Sequence, residues 1–221
     1  MEYIHNTEQF QFHNTVVALG KFDGMHKGHQ LIFDELIQYK QLGYQAAVFS
    51  FDRPPLNMLK HKHMRVIYTT NEKIKLLARR GIDIYIEHPF TDEFSHLSPE
   101  DFVIKVLLEK TGMKVLVVGD DCGFGYKRQG NVELLERMSK EYDFKLIVIP
   151  KLELEGEIVS STRIRHLLSE GKVEEANRLM EDPFMICGPV VHGNHMGAEV
   201  LQMPTANQIP LEDKLLPPNG V

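Results

Sequence analysis

The sequence has no tryptophan, only two cysteines and no long apolar run. Each shortage narrows what the chain can be. A membrane-spanning helix needs about eighteen or more consecutive apolar residues, and none is present. The polar opening, MEYIHNTEQF, has neither the apolar core nor the small-residue cleavage site of a secretory signal. Cys122 and Cys187 are too few for a disulfide framework and lack metal-site spacing, so they read as free thiols in a reducing compartment. A cytoplasmic location is the expectation. Low-complexity tracts and internal repeats are missing too, which leaves a 221-residue chain of ordinary composition, long enough to bury a substantial core. There is no basic excess: the formal net charge is -6, with lysine and arginine scattered. That argues against a nucleic-acid surface and for a local anion pocket the size of a nucleotide.

What is present is an alternation. Short, mostly β-branched apolar runs occur at TVVAL (15–19), AAVFSF (46–51), IDIYI (82–86), KVLVVG (114–119) and KLIVIP (145–150), as buried strands require. Between them lie stretches with helical spacing at 29–42, where Ile32, Leu36 and Tyr39 share a face, and at 71–80, 98–111 and 131–142. The third has a capping Ser98, Pro99 in the first turn, and Glu100 and Asp101 at the positive end of the helix dipole. Strands alternating with helices predict an α/β fold: a parallel sheet covered on both faces, with its ligand at the carboxyl ends of the strands. Asp182-Pro183 breaks a helical stretch at 172–180 and opens a segment punctuated by Gly and Pro, with GPVVHG, MPTAN and LLPPNGV. The expected organisation is a domain at 1–182 followed by an incomplete β-rich segment at 183–221.

Two motifs carry chemistry. GKFDGMHKGH, residues 20–29, follows the first predicted strand, so the helix after it starts near Gly28 and aims backbone N–H groups at the sheet edge, where a phosphate is favoured. His26 and His29, three apart, can face the same side of that turn and donate to phosphate oxygens, and when protonated they offset phosphate charge. Gly24 and Gly28 allow close backbone approach. Read alone, the motif is equally two solvated loop histidines. The second motif, SSTRIR at 160–165, places three hydroxyls ahead of two arginines at the start of a helix over 162–170. Ser160 or Ser161 can cap it, Arg165 can grip phosphate through two N–H groups, and Arg163 is left open. On its own this too is a capped helix with surface arginines.

Together, GKFDGMHKGH and VSSTRIR resemble the HxGH and ISSTxxR pair of the nucleotidyltransferase superfamily. SFDRPP, LSPEDFV, VVGDDCGFGYKRQGN, VSSTRIRHLLSEGKVEEAN, GPVVHG and PTAN extend the likeness along almost the whole chain. The chain thus resembles the prokaryotic FAD synthetases, the riboflavin kinase/FMN adenylyltransferase family. The resemblance implies a Rossmann-like nucleotidyltransferase domain at 1–182 and the start of a riboflavin-kinase-like module after it. It implies a reaction in which FMN phosphate attacks the α-phosphorus of ATP, releasing pyrophosphate, with Mg²⁺ neutralising the polyphosphate.

By that likeness His26, His29 and Arg165 are the catalytic candidates. ATP contacts are expected at Phe22, Asp23, Gly24 and Gly28 in the turn, and at Ser160, Ser161 and Thr162 beside Arg165. Asp23 is open between metal or nucleotide contact and a backbone cap. Asp121, Phe124 and Gly125 match the family's flavin-side segment, where Phe124 either packs on an isoalloxazine ring or anchors its own loop. In the last segment Thr205 and Asn207 match kinase positions for Mg²⁺ and ATP phosphates. The family's kinase base and the rest of its barrel would lie beyond Val221, so riboflavin phosphorylation is not expected of this chain.

The sequence departs from the family pattern at Cys122, where Phe is usual, at Arg53-Pro54, where Pro-His is usual, and across 197–203, which lack the usual Arg, Gly and aromatic. His61, His63, His192 and His195 have spacings a metal accepts but no further ligands nearby in sequence, and no metal site is expected from them. The expected partners are small molecules, ATP and FMN, with no nucleic acid and no membrane; the oligomeric state is not readable. Two alternatives stay open: a nucleotidyltransferase for pantetheine phosphate, nicotinamide mononucleotide or a polyol phosphate, and a flavin- or nucleotide-binding regulator without catalysis.

Overall fold

A computed structural model describes residues 1–52, 65–191 and 207–219. Arg53, Pro54, His61, His63, His192, His195 and Thr205 therefore lie outside the described residues.

Six strands form one sheet, all neighbours parallel: β1 (Glu2–His5), β2 (Thr15–Leu19), β3 (Gln45–Phe51), β4 (Ile84–His88), β5 (Met113–Gly119) and β6 (Lys145–Ile149), in the spatial order β1-β4-β3-β2-β5-β6. The order runs outward from β2 through β3 and β4 on one side and through β5 and β6 on the other, so the sheet reverses direction of growth between β2 and β5. Such a switch point opens a crevice at the carboxyl ends of the strands. This is the expected α/β, Rossmann-like arrangement.

The alternation in TVVAL divides the core. Val16 and Ala18 face α1 (Lys27–Gln41), α2 (Thr70–Arg79), α6 (Ser161–Ser169) and α7 (Val173–Leu179), packing with Phe33, Leu36, Leu77, Ile164 and Leu168. Val17 and Leu19 face the other layer, with Phe49, Phe102, Val103, Leu107 and Leu135. That second layer contains α3 (Asp92–Ser95), α4 (Pro99–Asp101) running into a π-helical stretch at Phe102–Leu108, and α5 (Val132–Glu141). Every residue of β2 is buried, which is why its sequence carries no polar face.

Three details differ from the sequence expectation. Strand β4 starts at Ile84 rather than 82, because Asp83 is held by Lys40 at 2.6 Å and accepts the Ala46 N–H at 3.0 Å, fixing the entry to the strand as a turn. The expected helix at 98–111 is capped by Ser98 but widens after Asp101, with Glu109 N–H bonding Ile104 O and Thr111 N–H bonding Val106 O, five residues back in each case. Strand β1 carries no sequence signal: EYIH is partly exposed at the sheet edge and has no apolar run to announce it.

Two short antiparallel pairs are also described, β7 (Glu153–Leu154) with β8 (Glu157–Ile158), and β9 (Val190–Val191) with β10 (Asn207–Gln208). Among the described residues no helix is long and apolar enough to cross a membrane.

Candidate active site

The turn after β2 is shaped by its own residues. Phe22, Gly24 and Met25 all take positive φ, at 49°, 82° and 38°. Phe22 is buried, its ring lying over Gly20 and packing on Phe33 at 5.0 Å and edge-on to His29 at 5.2 Å. It plugs the turn from below and offers no exposed ring. A Cβ on Gly24 would come 3.1 Å from Ile67 Cδ1, so the glycine serves both the conformation and a close approach.

Helix α1 begins at Lys27, and its N-cap is His26: the Nδ1 atom accepts the His29 N–H at 3.3 Å. A neutral His26 with Nδ1 accepting carries its proton on Nε2, which leaves that N–H to donate outward. The two imidazoles stack, with 3.6 Å between ring centroids and 18° between planes. His29 Nδ1 is buried without a hydrogen-bond partner among the described residues. Burial lowers both pKa values, that of His26 to about 4 and that of His29 well below the ordinary range, so both rings are neutral at pH 7 in this state. Without a ligand the rings thus stand as neutral donors, because the turn is desolvated. Gly28 lies against this pair, where a Cβ would come 3.1 Å from His26 Nδ1.

Helix α6 brings the second motif to the turn. Ser160 is its N-cap, accepting the Arg163 N–H at 3.3 Å, and Ser161 Oγ donates to the Asp23 carbonyl. Arg165 Nη2 pairs with Asp23 Oδ2 at 2.5 Å, and its Nη1 donates to the Arg65 carbonyl. Asp23 Oδ1 accepts the Ile67 N–H at 2.9 Å and the Tyr68 N–H at 3.3 Å. Asp23 is therefore a brace joining the turn, the 65–68 segment and Arg165. Arg163 points away, pairing with Glu157 at 2.6 Å, and Thr162 is exposed.

A cavity and a packed side flank the turn. On the β3–β4 side a cavity is lined by Lys21, Asp23, Arg65, Thr70, Lys73, Glu87 and Arg165, among others. Lys21 lies within the histidine motif, whereas Lys73, Arg65 and Glu87 carried no sequence signal, because each belongs to a different element. On the β5–β6 side, Gly28 faces Leu152, and the charge of Asp121 is felt at His26.

The loop after β5 is placed differently from a simple flavin platform. Phe124 is 6% exposed, packs against Phe102 at 5.8 Å, and its backbone pairs both ways with Gly130. Gly125 has φ +68°, and a Cβ there would lie 2.7 Å from Pro99 Cα. Of the two roles open for Phe124, loop anchoring is the one the geometry displays. Asp121 is largely exposed and pairs with Lys151 at 3.3 Å. Burial pushes the Cys122 thiol up to about 11. Asn207 is exposed at the start of β10.

Comparison with known proteins gives the family. Residues 8–163 match the family model described as FAD synthetase, and residues 180–221 match that of riboflavin kinase. The chain is 38% identical to a bifunctional riboflavin kinase/FMN adenylyltransferase of Buchnera aphidicola subsp. Schizaphis graminum, covering 99% of this chain and 70% of that protein. It is 36% identical to one from Listeria monocytogenes, over 99% of this chain and 71% of the relative, and 32% identical to one from Escherichia coli, over 99% and 70%. In three dimensions it matches a crystal structure of a macrolide-efflux protein from Streptococcus pneumoniae, with a TM-score of 0.85 and 30% identity, covering 99% of this chain and 71% of that one. The parallel sheet, the stacked histidine turn and the arginine braced against it are thus those of a chain that belongs to the FAD synthetase family.

Proposed function

We propose that this chain is an FMN adenylyltransferase, transferring AMP from ATP to FMN to form FAD and pyrophosphate. The observation that carries the reading is the junction of the two motifs: Asp23 in the histidine turn and Arg165 on α6 pair directly although 142 residues apart, at the carboxyl edge of a parallel sheet. In the reaction a phosphate oxygen of FMN forms a bond to the α-phosphorus while the bond from that phosphorus to the departing pyrophosphate breaks. No covalent enzyme intermediate is needed, so positioning and charge stabilisation supply the rate.

The neutral imidazoles of His26 and His29 donate to the polyphosphate, whose charge then raises their proton affinity. Arg165 supplies a fixed positive charge that its pairing with Asp23 holds in place. The α1 N-terminus at Gly28 adds backbone N–H groups, with Ser160, Ser161 and Thr162 at the opposite side. Mg²⁺, when bound, neutralises the phosphate oxygens. It would be held by the nucleotide's phosphates rather than by a protein cage, since both carboxylate oxygens of Asp23 are already engaged. Asp121 and Gly125 are proposed on the flavin side. Residues 1–182 are proposed as the adenylyltransferase domain and 183–221 as a kinase-like β segment, in which Thr205 and Asn207 occupy phosphate and metal positions by family likeness.

The test is incubation with ATP, Mg²⁺ and FMN, following FAD and pyrophosphate by chromatography. FAD with equal pyrophosphate is expected. Turnover on another phosphate acceptor but not on FMN, or tight FMN binding without turnover, overturns the reading.

A further inference from the structure

The backbone of Ile67 is held from both sides. Its N–H donates to Asp23 Oδ1 at 2.9 Å, and its carbonyl accepts from Lys214 Nζ at 2.6 Å. Lys214 comes from the 211–216 segment, which lies alongside Val66 as one parallel rung: Val66 N–H bonds Asp213 O at 2.7 Å, and Leu215 N–H bonds Val66 O at 2.8 Å. The lysine is 2% exposed and pairs with Glu72, 0% exposed, at 2.7 Å, with the Tyr68 and Phe184 rings about its ammonium at 5.0 and 4.5 Å. Glu72 in turn completes the α2 capping box with Thr69 and accepts the Cys187 N–H at 2.8 Å.

A fully buried ion pair is a poor stabiliser compared with apolar packing of the same volume, because both charges lose hydration. Burying one here makes physical sense where a fixed hydrogen-bond donor is required. The donor's target is the Ile67 carbonyl, and the N–H of that same peptide group, on Tyr68, donates to Asp23 Oδ1 at 3.3 Å, while Asp23 in turn holds Arg165.

We propose that Lys214 is a positioning residue of the nucleotidyl-transfer site, holding Arg165 in register through Ile67 and Asp23. The 207–219 segment is thereby coupled to the nucleotide site, with Glu72 keeping the lysine charged and aimed. The inference rests on the reading of Arg165 as a phosphate ligand.

The test uses the full chain with Lys214→Met, and the double variant Lys214→Met with Glu72→Gln, which removes the carboxylate left unpaired. For both, kcat/KM for ATP should fall about tenfold to a hundredfold, the range expected for a small displacement of a positioned group. FMN affinity should stay within twofold, and the double variant should recover most of the thermal stability lost in the single one without recovering activity. Either variant, folded and with parental kcat/KM for ATP, overturns the proposal.

Amide hydrogen exchange on the unaltered protein decides the matter if neither variant folds. ATP should slow exchange at Leu215 beyond the slowing at Leu116, which reports global stabilisation, because coupling between two sites is reciprocal. Equal slowing at the two amides overturns the proposal. An unaltered protein that makes no FAD defeats the functional reading itself, whereas an active parent with parent-like variants defeats only the role of Lys214.

Discussion

His26 and His29 stack face to face, 3.6 Å apart, while the backbone N–H of the second is capped by the ring of the first. Two charged imidazoles at that separation would repel, and burial has already lowered both pKa values. The pair is therefore desolvated and neutral in this state.

Replacement of His29 by alanine should lower kcat for FAD formation by about a hundredfold to a thousandfold, the range for loss of one preorganised donor to developing charge. FMN affinity, measured by quenching of flavin fluorescence, should be nearly unchanged. Parental kcat in this variant would remove His29 from the catalytic set.

The buried histidines set a pH dependence of stability. The folded pKa of His26, about 4, lies below its ordinary 6.5, so between these values the unfolded chain binds more protons than the folded one. Stability from this group is complete above about pH 6.5 and is lost as pH falls toward 4. Urea unfolding at pH 7 and pH 5 should show a loss about 2 kcal/mol greater in the parent than in His26→Gln. Equal losses would show that His26 titrates normally.

Asp23 separates two roles that one substitution cannot. In Asp23→Asn the side-chain oxygen still accepts from Ile67 and Tyr68 while Arg165 loses its counter-charge. The amide N–H₂ of the replacement faces Arg165 donor to donor, so the arginine is released and kcat/KM for ATP should drop. In Asp23→Ala two backbone N–H groups also lose their acceptor, which should cost about 1–3 kcal/mol of stability by denaturant titration. Matching stabilities for the two variants would contradict the brace.

At Gly125 the backbone combines φ +68° with ψ -173°, a region open to glycine alone, and Pro99 blocks a Cβ at 2.7 Å. Gly125→Ala should destabilise the protein by about 2 kcal/mol or more, measured by thermal or urea unfolding. A neutral outcome would show that the loop moves freely against α4.

The central strands and the two motif-bearing turns were legible because their signals are local. TVVAL is wholly buried and reads as nothing else, and Ser98-Pro99 marks a helix start whatever follows. The π-helical widening at 102–108 was invisible, since FVIKVLL suits either hydrogen-bond spacing. Edge strand β1 lacks a buried face. What joins the site is also the least local: Asp23 with Arg165, and Glu72 with Lys214, are each 142 residues apart. No periodicity links such pairs; Lys214 in LEDKLLPP looks like a surface lysine until the chain is folded. Phe124 shows the reverse limit. Its motif position left a ligand-facing ring and a loop anchor equally open, and it packs against Phe102 and Gly130.

The most direct measurement uses ATP labelled in turn at the α- and the γ-phosphorus, with FMN and Mg²⁺. Adenylyl transfer predicts that α-label appears in FAD, γ-label only in pyrophosphate, and that Arg165→Ala suppresses both. Unlabelled FMN and no labelled FAD after either incubation would contradict the account.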